Sequence, residues 1–385
     1  MLGINSNINS LVAQQNLNGS QGALSQAITR LSSGKRINSA ADDAAGLAIS
    51  TRMQTQINGL NQGVSNANDG VSMIQTASSA LSSLTNSLQR IRQLAVQAST
   101  GTMSTTDQAA LQQEVSQQVQ EVNRIASQTT YNGTNILNGN AGIVSFQVGA
   151  NVGQTISLDL SQSMSAAQIG GGVVQSGQTV GTVTGLSLDS TGKYTSSGAA
   201  ITAVNVTSDG KGGFTFTDQN GTAITGATAS AIFTTSTAAA SNGATVTQIA
   251  ISTSATSSSM SSASLTAITN AVAQINAVNK PATVSGLDIS TVSGANVAMV
   301  SIDNALQTVN NVQAALGAAQ NRFTAIATAQ QAESTDLSSA QSQITDANFA
   351  QETANMSKNQ VLQQAGISVL AQANSLPQQV LKLLQ

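Results

Sequence analysis

Residues 298–344 decide the fold, and they read AMVSIDNALQTVNNVQAALGAAQNRFTAIATAQQAESTDLSSAQSQI. Apolar or small residues recur there in alternating steps of four and three, a period typical of a long helix lying against other long helices. The seam positions are Ala298, Ile302, Ala305, Val309, Val312, Leu316, Ala319, Phe323 and Ile326, and the rhythm continues through Gln330, Glu333, Leu337, Ala340 and Ile344. No proline interrupts the stretch, so it predicts a helix on the order of 70 Å long, more than a compact domain needs.

The same rhythm appears in residues 53–98, nearer the other end of the chain. Glycines weaken this second seam locally, at Gly59, Gly63 and Gly70. Just after it, Ser104 and Asp107 have the spacing of a capping box, which opens a third amphipathic helix. Three helices with one kind of seam predict a coiled-coil-like bundle.

The composition limits the classes of function. The chain has 385 residues, 40% of them hydrophobic and only 2% aromatic, so its cores must be built mainly of Ala, Val, Ile and Leu. Charged residues make up 8% and the net charge is -3, which argues against nucleic-acid binding because that requires a basic patch. A surface with so little charge repels copies of itself weakly and therefore suits self-association.

The chemistry of a catalytic site is missing from the sequence. Cys and His are absent, so there is no thiolate nucleophile, and the usual general base and metal ligand are missing. Gly34-Lys35 lacks the upstream glycine and the following Ser or Thr of a phosphate-binding loop. We therefore expect no enzyme activity, no cofactor and no metal. No basic and apolar leader of a cleaved secretory signal is visible at the start of the sequence, and no apolar run approaches a membrane span.

The polar segment 34–46 connects two helical patterns. We interpret Ser39 as a helix cap and the pair Asp42-Asp43 as the acidic first turn of the following helix. Paired carboxylates can act as an acid/base pair, but on a connector the capping interpretation is favoured.

Both ends of the chain carry amphipathic helical stripes, the first broken by Gly19 and Gly22. They are two surface helices on one core, or they pair with each other and with neighbouring subunits. The C-terminal stripe is wider than one thin partner could cover, which favours the second interpretation. The predicted self-assembly residues are Ile4, Ile8, Leu11, Leu17, Leu24, Ile28, Leu31, Val361, Ala365, Val369, Ala373, Leu376, Val380 and Leu383.

The centre of the chain has a different sequence pattern from the helical ends. Residues 143–148 and 155–160 alternate in polarity and predict a β-hairpin. Residues 170–285 are rich in Gly, Ser, Thr and Ala, and could be disordered. Short alternating runs between turn signals favour a loosely packed β-rich module inserted into the helical rod, with a short helix at 265–278.

Four motifs resemble bacterial flagellin. They are LSSGKRINSAADDAAGLAI at 31–49, LQRIRQLAVQ at 88–97, LGAAQNRF at 316–323 and QQAGISVLAQAN at 363–374. The resemblance covers roughly residues 1–170 and 285–385, and the middle of the chain is not diagnostic.

This resemblance implies a mainly α fold: a long helical bundle formed by the N- and C-terminal segments, a β-hairpin, and an inserted outer α+β domain. It assigns 1–42 and 344–385 to the terminal helices of the inner filament core, domain D0. It assigns 43–175 and 286–343 to the helical rod, domain D1, and 176–285 to the variable outer domain, D2.

The resemblance also implies a function and partners. The chain would polymerise into an extracellular flagellar filament for swimming motility, after export in an unfolded state by the flagellar type III apparatus. Its partners would be copies of itself, the hook-associated junction and cap proteins, and a chaperone on the C-terminal helix. Neither a nucleic acid nor a membrane span is implied. The alternatives are a hook–filament junction protein of the same superfamily, or an outer domain that acts as an adhesin.

Flagellins also carry a surface sensed by Toll-like receptor 5. By resemblance it falls on Gln89, Arg90, Leu94, Gln97, Leu111 and Glu114. Arg90, Leu94 and Gln97 are spaced to share one helix face. The same face could equally be a contact between subunits, and both can hold for one surface. Gln93 stands where the family commonly carries an acidic residue.

Overall fold

The computed structural model describes residues 7–240, 243–257 and 260–383, with side chains described as far as residue 375 in the last range. Its contacts divide the chain into two compact units. The first comprises Met1–Asn68, Gln147–Thr155 and Ala325–Gln385, and the second comprises Asp69–Phe146 and Ile156–Thr324. None of the helices in the described ranges combines the length and apolar composition needed to cross a membrane.

The first unit contains the two terminal helices, α1 (Ile8–Ser33) and α7 (Phe349–Leu383), which pack against each other. Small side chains lie at their contact, and Ala13, Ala27 and Ala373 are buried. The two glycines that interrupt the sequence pattern leave α1 continuous. Pairing with α7 stabilises a helix that would be marginal alone, so the glycines weaken α1 without ending it.

The two long seams form the two longest helices, as predicted. These are α2 (Ala44–Ala98), with 55 residues, and α6 (Val292–Thr345), with 54. The prediction that Glu333 lies on the buried seam was wrong, because Glu333 is exposed. The next residue, Ser334, is buried instead and donates a hydrogen bond to Asn61 at 2.9 Å. An α-helix has 3.6 residues per turn, so a strict 3.5 repeat drifts until the buried position moves by one residue.

The second unit adds a third helix, α3 (Thr105–Gln128). The Ser104 hydroxyl accepts a hydrogen bond from the Asp107 backbone N–H at 3.2 Å, which confirms the predicted cap. Four short strands follow: β1 (Thr130–Tyr131) pairs with β2 (Thr134–Asn135), and β3 (Gly142–Gln147) pairs with β4 (Thr155–Leu160). The pairing of β3 with β4 confirms the predicted β-hairpin.

Two glycines of α2 allow neighbouring groups to approach closely. In the first unit, a Cβ at Gly63 would lie 2.0 Å from the Val148 carbonyl oxygen. In the second, a Cβ at Gly70 would lie 2.6 Å from the ring of Phe323, which packs edge-to-face on Phe146 at 5.3 Å. The glycines that weaken the seam in the sequence are therefore positions where groups from other segments pack directly against the backbone of α2.

The inserted region is folded and rich in β-structure, as the alternation predicted. An antiparallel sheet has the order β5 (Thr179–Leu188), β6 (Ile201–Ser208), β7 (Phe214–Asp218) and β8 (Ala223–Ile224). After α4 (Gly226–Ile232), the strands β9 (Phe233–Ala239) and β10 (Thr245–Ile251) form a separate antiparallel pair. Then come α5 (Ser262–Val278) and a 3₁₀ turn, Val284–Gly286.

The core of the insert joins these elements. The helix α5 packs on β5 and β10 through Ile268, Val272 and Ile275, which are buried together with aliphatic residues of the large sheet. The rings of Phe216 and Phe233 stack at 5.0 Å and connect β7 with β9. The insert therefore has a hydrophobic core of its own.

Candidate self-assembly surfaces and receptor face

The connector after α1 is fixed to the segment between α6 and α7. The Arg36 backbone N–H donates to the Thr345 carbonyl at 2.6 Å, and the Ala347 N–H donates to the Gly34 carbonyl at 2.9 Å. Between them, Lys35 forms an antiparallel bridge with Asp346. Gly34 adopts a φ of 70°, a left-handed conformation that ends α1 and that glycine adopts without strain. The segment that follows α1 and the segment that precedes α7 are thus hydrogen-bonded to each other.

The carboxylates of the connector have different roles from those predicted. Asp43 caps α2, because its side chain accepts the Gly46 N–H at 2.8 Å. Ser39 is not the cap: its hydroxyl and its N–H both donate to Asp42. Hydrogen bonds from the Gln26 side chain and from the Ser39 and Asn38 N–H groups lower the pKa of Asp42. Ser39 precedes Ala44, where α2 begins, by five residues, which is too far to reach its first turn.

An ion-pair network missed by the sequence analysis lies beside this connector. Arg30 on α1 is 4.0 Å from Asp42 and 3.7 Å from Glu352 on α7. Glu352 is buried, and the Arg30 Nε is buried without a hydrogen-bond partner. Arg30 and Glu352 lie near opposite ends of the chain, and no local pattern links them. Together these contacts fix the start of α7 against the end of α1.

The predicted self-assembly stripes are only partly covered by the α1–α7 pairing. Ala373 is buried, and three of the four predicted leucines of α1, Leu17, Leu24 and Leu31, are half-buried. The others whose side chains are described stay exposed: Ile8, Leu11, Ile28, Val361, Ala365 and Val369. Leu11 is 70% exposed and Val361 is 65% exposed. Ile4 and the side chains of Leu376, Val380 and Leu383 lie outside the part of the chain that the structure describes.

A groove of about 580 Å³ runs along the same pair of helices. Leu17 lines it from α1, and Leu362 and Val369 line it from α7. Its walls include Gly19, where an added Cβ would meet nothing within 4 Å, so a partner could approach the backbone there. Exposed aliphatic residues beside an open groove form a surface suited to another helix.

The predicted receptor residues lie on α2 and α3 in the second unit. Arg90 bonds to Glu114, with Nη2 at 2.6 Å and Nε at 2.8 Å from the same carboxylate oxygen, so these two helices are tied together here. Gln89, Arg90 and Gln97 are exposed, and Leu111 and Glu114 are partly exposed. The structure thus brings five of the six residues to the surface.

Leu94 does not belong to that surface. It is 1% exposed, although its spacing relative to Arg90 and Gln97 predicted a shared exposed face. On the other side of α2, Arg92 donates two hydrogen bonds to Asp303 on α6, at 2.6 and 3.3 Å, and these raise the pKa of Arg92. The helix α2 is thus bonded to both α3 and α6, and the buried part of its surface includes Leu94.

Comparisons with known proteins cover the whole chain. The bacterial flagellin N-terminal helical region matches residues 4–142, the flagellin D2 domain matches 172–278, and the C-terminal helical region matches 299–384. Flagellin B of Vibrio cholerae is 37% identical over 386 residues, covering 100% of this chain and 99% of that protein. The B-type flagellin of Pseudomonas aeruginosa is 36% identical over 487 residues and covers both chains completely.

A solved structure supports the same family. The structure of FliC from Burkholderia pseudomallei is 63% identical, with a TM-score of 0.61, and covers 66% of this chain and all of that one. A flagellar hook-associated protein from Legionella pneumophila is 15% identical with a TM-score of 0.40, too distant to support the junction-protein alternative. From its helical ends to its outer insert, this chain belongs to the bacterial flagellins, a family of structural filament proteins and not of enzymes.

Proposed function

We propose that this chain polymerises into the flagellar filament and serves swimming motility. The observation that carries the proposal is the α1–α7 pair, which leaves Leu11, Val361 and Val369 exposed beside an open groove. Aliphatic side chains on the outer face of a helix pair gain free energy only when another molecule covers them. A second copy of the same pair provides the same kind of surface.

The domain assignment of the polymer follows the chain segments. Residues 1–42 and 344–385 form the inner core, 43–175 and 286–343 form the surrounding rod, and 176–285 form the outer domain. The paired segments 34–36 and 345–347 support the inner boundary, because hydrogen bonds join them just after α1 ends and just before α7 begins. The separate core of the insert supports the outer boundary.

Export and assembly partners belong to the same proposal. The subunit leaves the cell unfolded through the flagellar type III apparatus, held beforehand by a chaperone on α7. The exposed Val361, Leu362 and Val369 support this role for α7, since a chaperone must cover apolar surface that a lone subunit leaves in water. Junction and cap proteins bind at the two ends of the filament.

Polymerisation of purified subunits tests the function. Truncation of residues 361–385 is expected to abolish salt-induced filaments seen by electron microscopy. A finer pair of variants separates loss of apolar contact from loss of the helix. Val361→Ser with Val369→Ser should block growth, whereas Gln364→Ser with Gln372→Ser, at exposed polar positions of the same helix, should not. Filaments that grow equally well from both variants would contradict the proposal.

Recognition by Toll-like receptor 5 is proposed for the exposed face of α2 and α3. Its residues here are Gln89, Arg90, Gln97, Leu111 and Glu114, without Leu94. The Arg90–Glu114 ion pair supports this assignment, because it presents a charged group already held in one orientation.

A receptor reporter assay tests this face with a matched control. Removing both partners, Arg90→Ala with Glu114→Ala, should reduce potency about tenfold. The control removes another exposed ion pair of α3, Arg124 with Glu121 at 2.6 Å, and should leave potency unchanged. Equal potency of the two double variants would exclude the assigned face.

A further inference from the structure

The sheet edges of the insert are protected to different degrees. An exposed edge strand offers unpaired N–H and C=O groups to any other strand, and proteins usually shorten, bulge or cover such edges. In the four-stranded sheet, β8 has only two residues, and β5 pairs with irregular register at both ends. Neither edge is a long, regular template.

The outer edge of β10 is covered by side chains. Asn276 of α5 accepts the Ile249 N–H at 2.8 Å and donates to the Ile249 carbonyl at 2.7 Å, as a neighbouring strand would. Asn279 donates to the Thr247 carbonyl at 2.8 Å, and the Thr247 N–H donates to the Gly212 carbonyl. The backbone groups that Thr247 and Ile249 direct away from β9 are therefore satisfied.

Among the residues that the structure describes, none covers the outer edge of β9 in this way. Seven consecutive pairs, from Phe233↔Ile251 to Ala239↔Thr245, join β9 to β10 without a bulge. Thr247 and Ile249 direct their backbone groups away from β9, so by the antiparallel pattern their partners Thr237 and Thr235 direct theirs away from β10. Within the described residues no bond joins the backbone groups of Thr235, Thr237 or Ala239 to anything on that side, and all three residues are exposed.

We propose that this edge of β9 pairs with the same edge of a second copy of the chain. An antiparallel pair centred on Thr237 places Thr237 opposite its counterpart, and Thr235 opposite Ala239 of the other copy. The outward groups of these three residues then meet as three hydrogen-bonded pairs with six backbone hydrogen bonds. A two-fold arrangement uses the same patch on both copies, which closes the contact as a dimer of outer domains.

The chemistry of the strand favours a copy of itself over another partner. The segment Phe233–Ala240 contains no charged residue, so two such edges meet without repulsion, and a charged partner would find no ion pair there. Threonine side chains opposite each other stabilise strand pairs.

Cysteine cross-linking of dilute subunits tests the proposed centre, because the chain has no Cys of its own. Residues opposite each other in a hydrogen-bonded pair have Cα atoms about 5.5 Å apart, within disulfide range. Thr237→Cys should form disulfide-linked dimers at least about tenfold faster than Thr202→Cys, on the central strand β6, where the residue is also exposed. Equal rates would overturn the proposal.

A charge pair tests the register. Thr235→Lys with Ala239→Glu places opposite charges across the proposed pair, whereas Thr235→Lys with Ala239→Lys places like charges there. Since each pair occurs twice in the dimer, dissociation constants from analytical ultracentrifugation should differ by about tenfold or more. Identical values, or monomers at every concentration, would refute the register and the pairing.

Filament growth gives an independent readout of the same variants. All of them keep the terminal helices, so salt-induced polymerisation should be unaffected by either charge pair. Failure of the edge pairing therefore leaves the filament proposal intact. Loss of filaments in the Val361 and Val369 variants would not change the pairing of β9.

Discussion

Shortening Leu11 is expected to weaken assembly while leaving the folded subunit intact. Burial of a whole leucine side chain stabilises by about 2 kcal/mol. Leu11 is 70% exposed in the subunit, so a covering copy can bury at most that share, or roughly 1.4 kcal/mol. Leu11→Ala removes most of this contribution, and every 1.4 kcal/mol is a tenfold change in an equilibrium constant. The critical concentration for filament growth should therefore rise about five- to tenfold.

Sedimentation of filaments grown over a range of subunit concentrations measures that threshold. The free energy of unfolding of the unpolymerised variant, measured by thermal denaturation, should change by less than about 0.5 kcal/mol, because the Leu11 side chain is largely in water there. Gln14→Ala is the matched control: it is exposed on the next turn of α1 and should leave the threshold unchanged. An unchanged threshold for Leu11→Ala, or an equal rise for both variants, would refute the assignment of this surface.

Three further changes address stability of the subunit. Asp43→Ala removes the cap of α2 and should lower the free energy of unfolding, measured by chemical denaturation, by about 1 kcal/mol. An unchanged free energy of unfolding would reject the capping role. Gly63→Ala brings a Cβ within 2.0 Å of the Val148 carbonyl oxygen and should lower the free energy of unfolding by more than about 2 kcal/mol. Gly101→Ala is the control and should have little effect, because nothing lies within 4 Å of a Cβ there. The lowered pKa of Asp42 means that its contribution is complete above the usual aspartate range and is lost as pH falls through the folded-state value. The melting temperature of Asp42→Asn should therefore fall less than that of the unmodified chain below about pH 4, and parallel pH profiles would exclude the effect.

The long helices could be predicted because their signal is local and repeated. A period of 3.5 in apolar positions requires nothing beyond the chain's own geometry, and α2 and α6 follow it almost throughout. The displacement from Glu333 to Ser334 follows from the drift of a 3.5 repeat on a helix of 3.6 residues per turn, but the hydrogen bond from Ser334 to Asn61 could not be predicted, because it depends on the opposing helix.

The candidate sites were predictable only in part. The stripe positions Leu11 and Val361 follow from periodicity, but their exposure depends on how little of each helix the partner covers. Leu94 shows the opposite case: spacing placed it with Arg90, whereas the folded chain buries it. The open edge of β9 has no sequence signal, since Asn276 and Asn279, which cover β10, come from a later helix.

The sequence alone determined the helical rods, the β-hairpin, the folded insert and membership of a filament family. These depend on patterns and motifs within single segments, where neighbouring residues report on one another. Only the tertiary structure decided which apolar residues stay in water, which acid caps α2, and which sheet edge lacks a neighbour. Those properties arise from groups far apart in the chain, and burial or hydrogen bonding is defined only once both partners are in place.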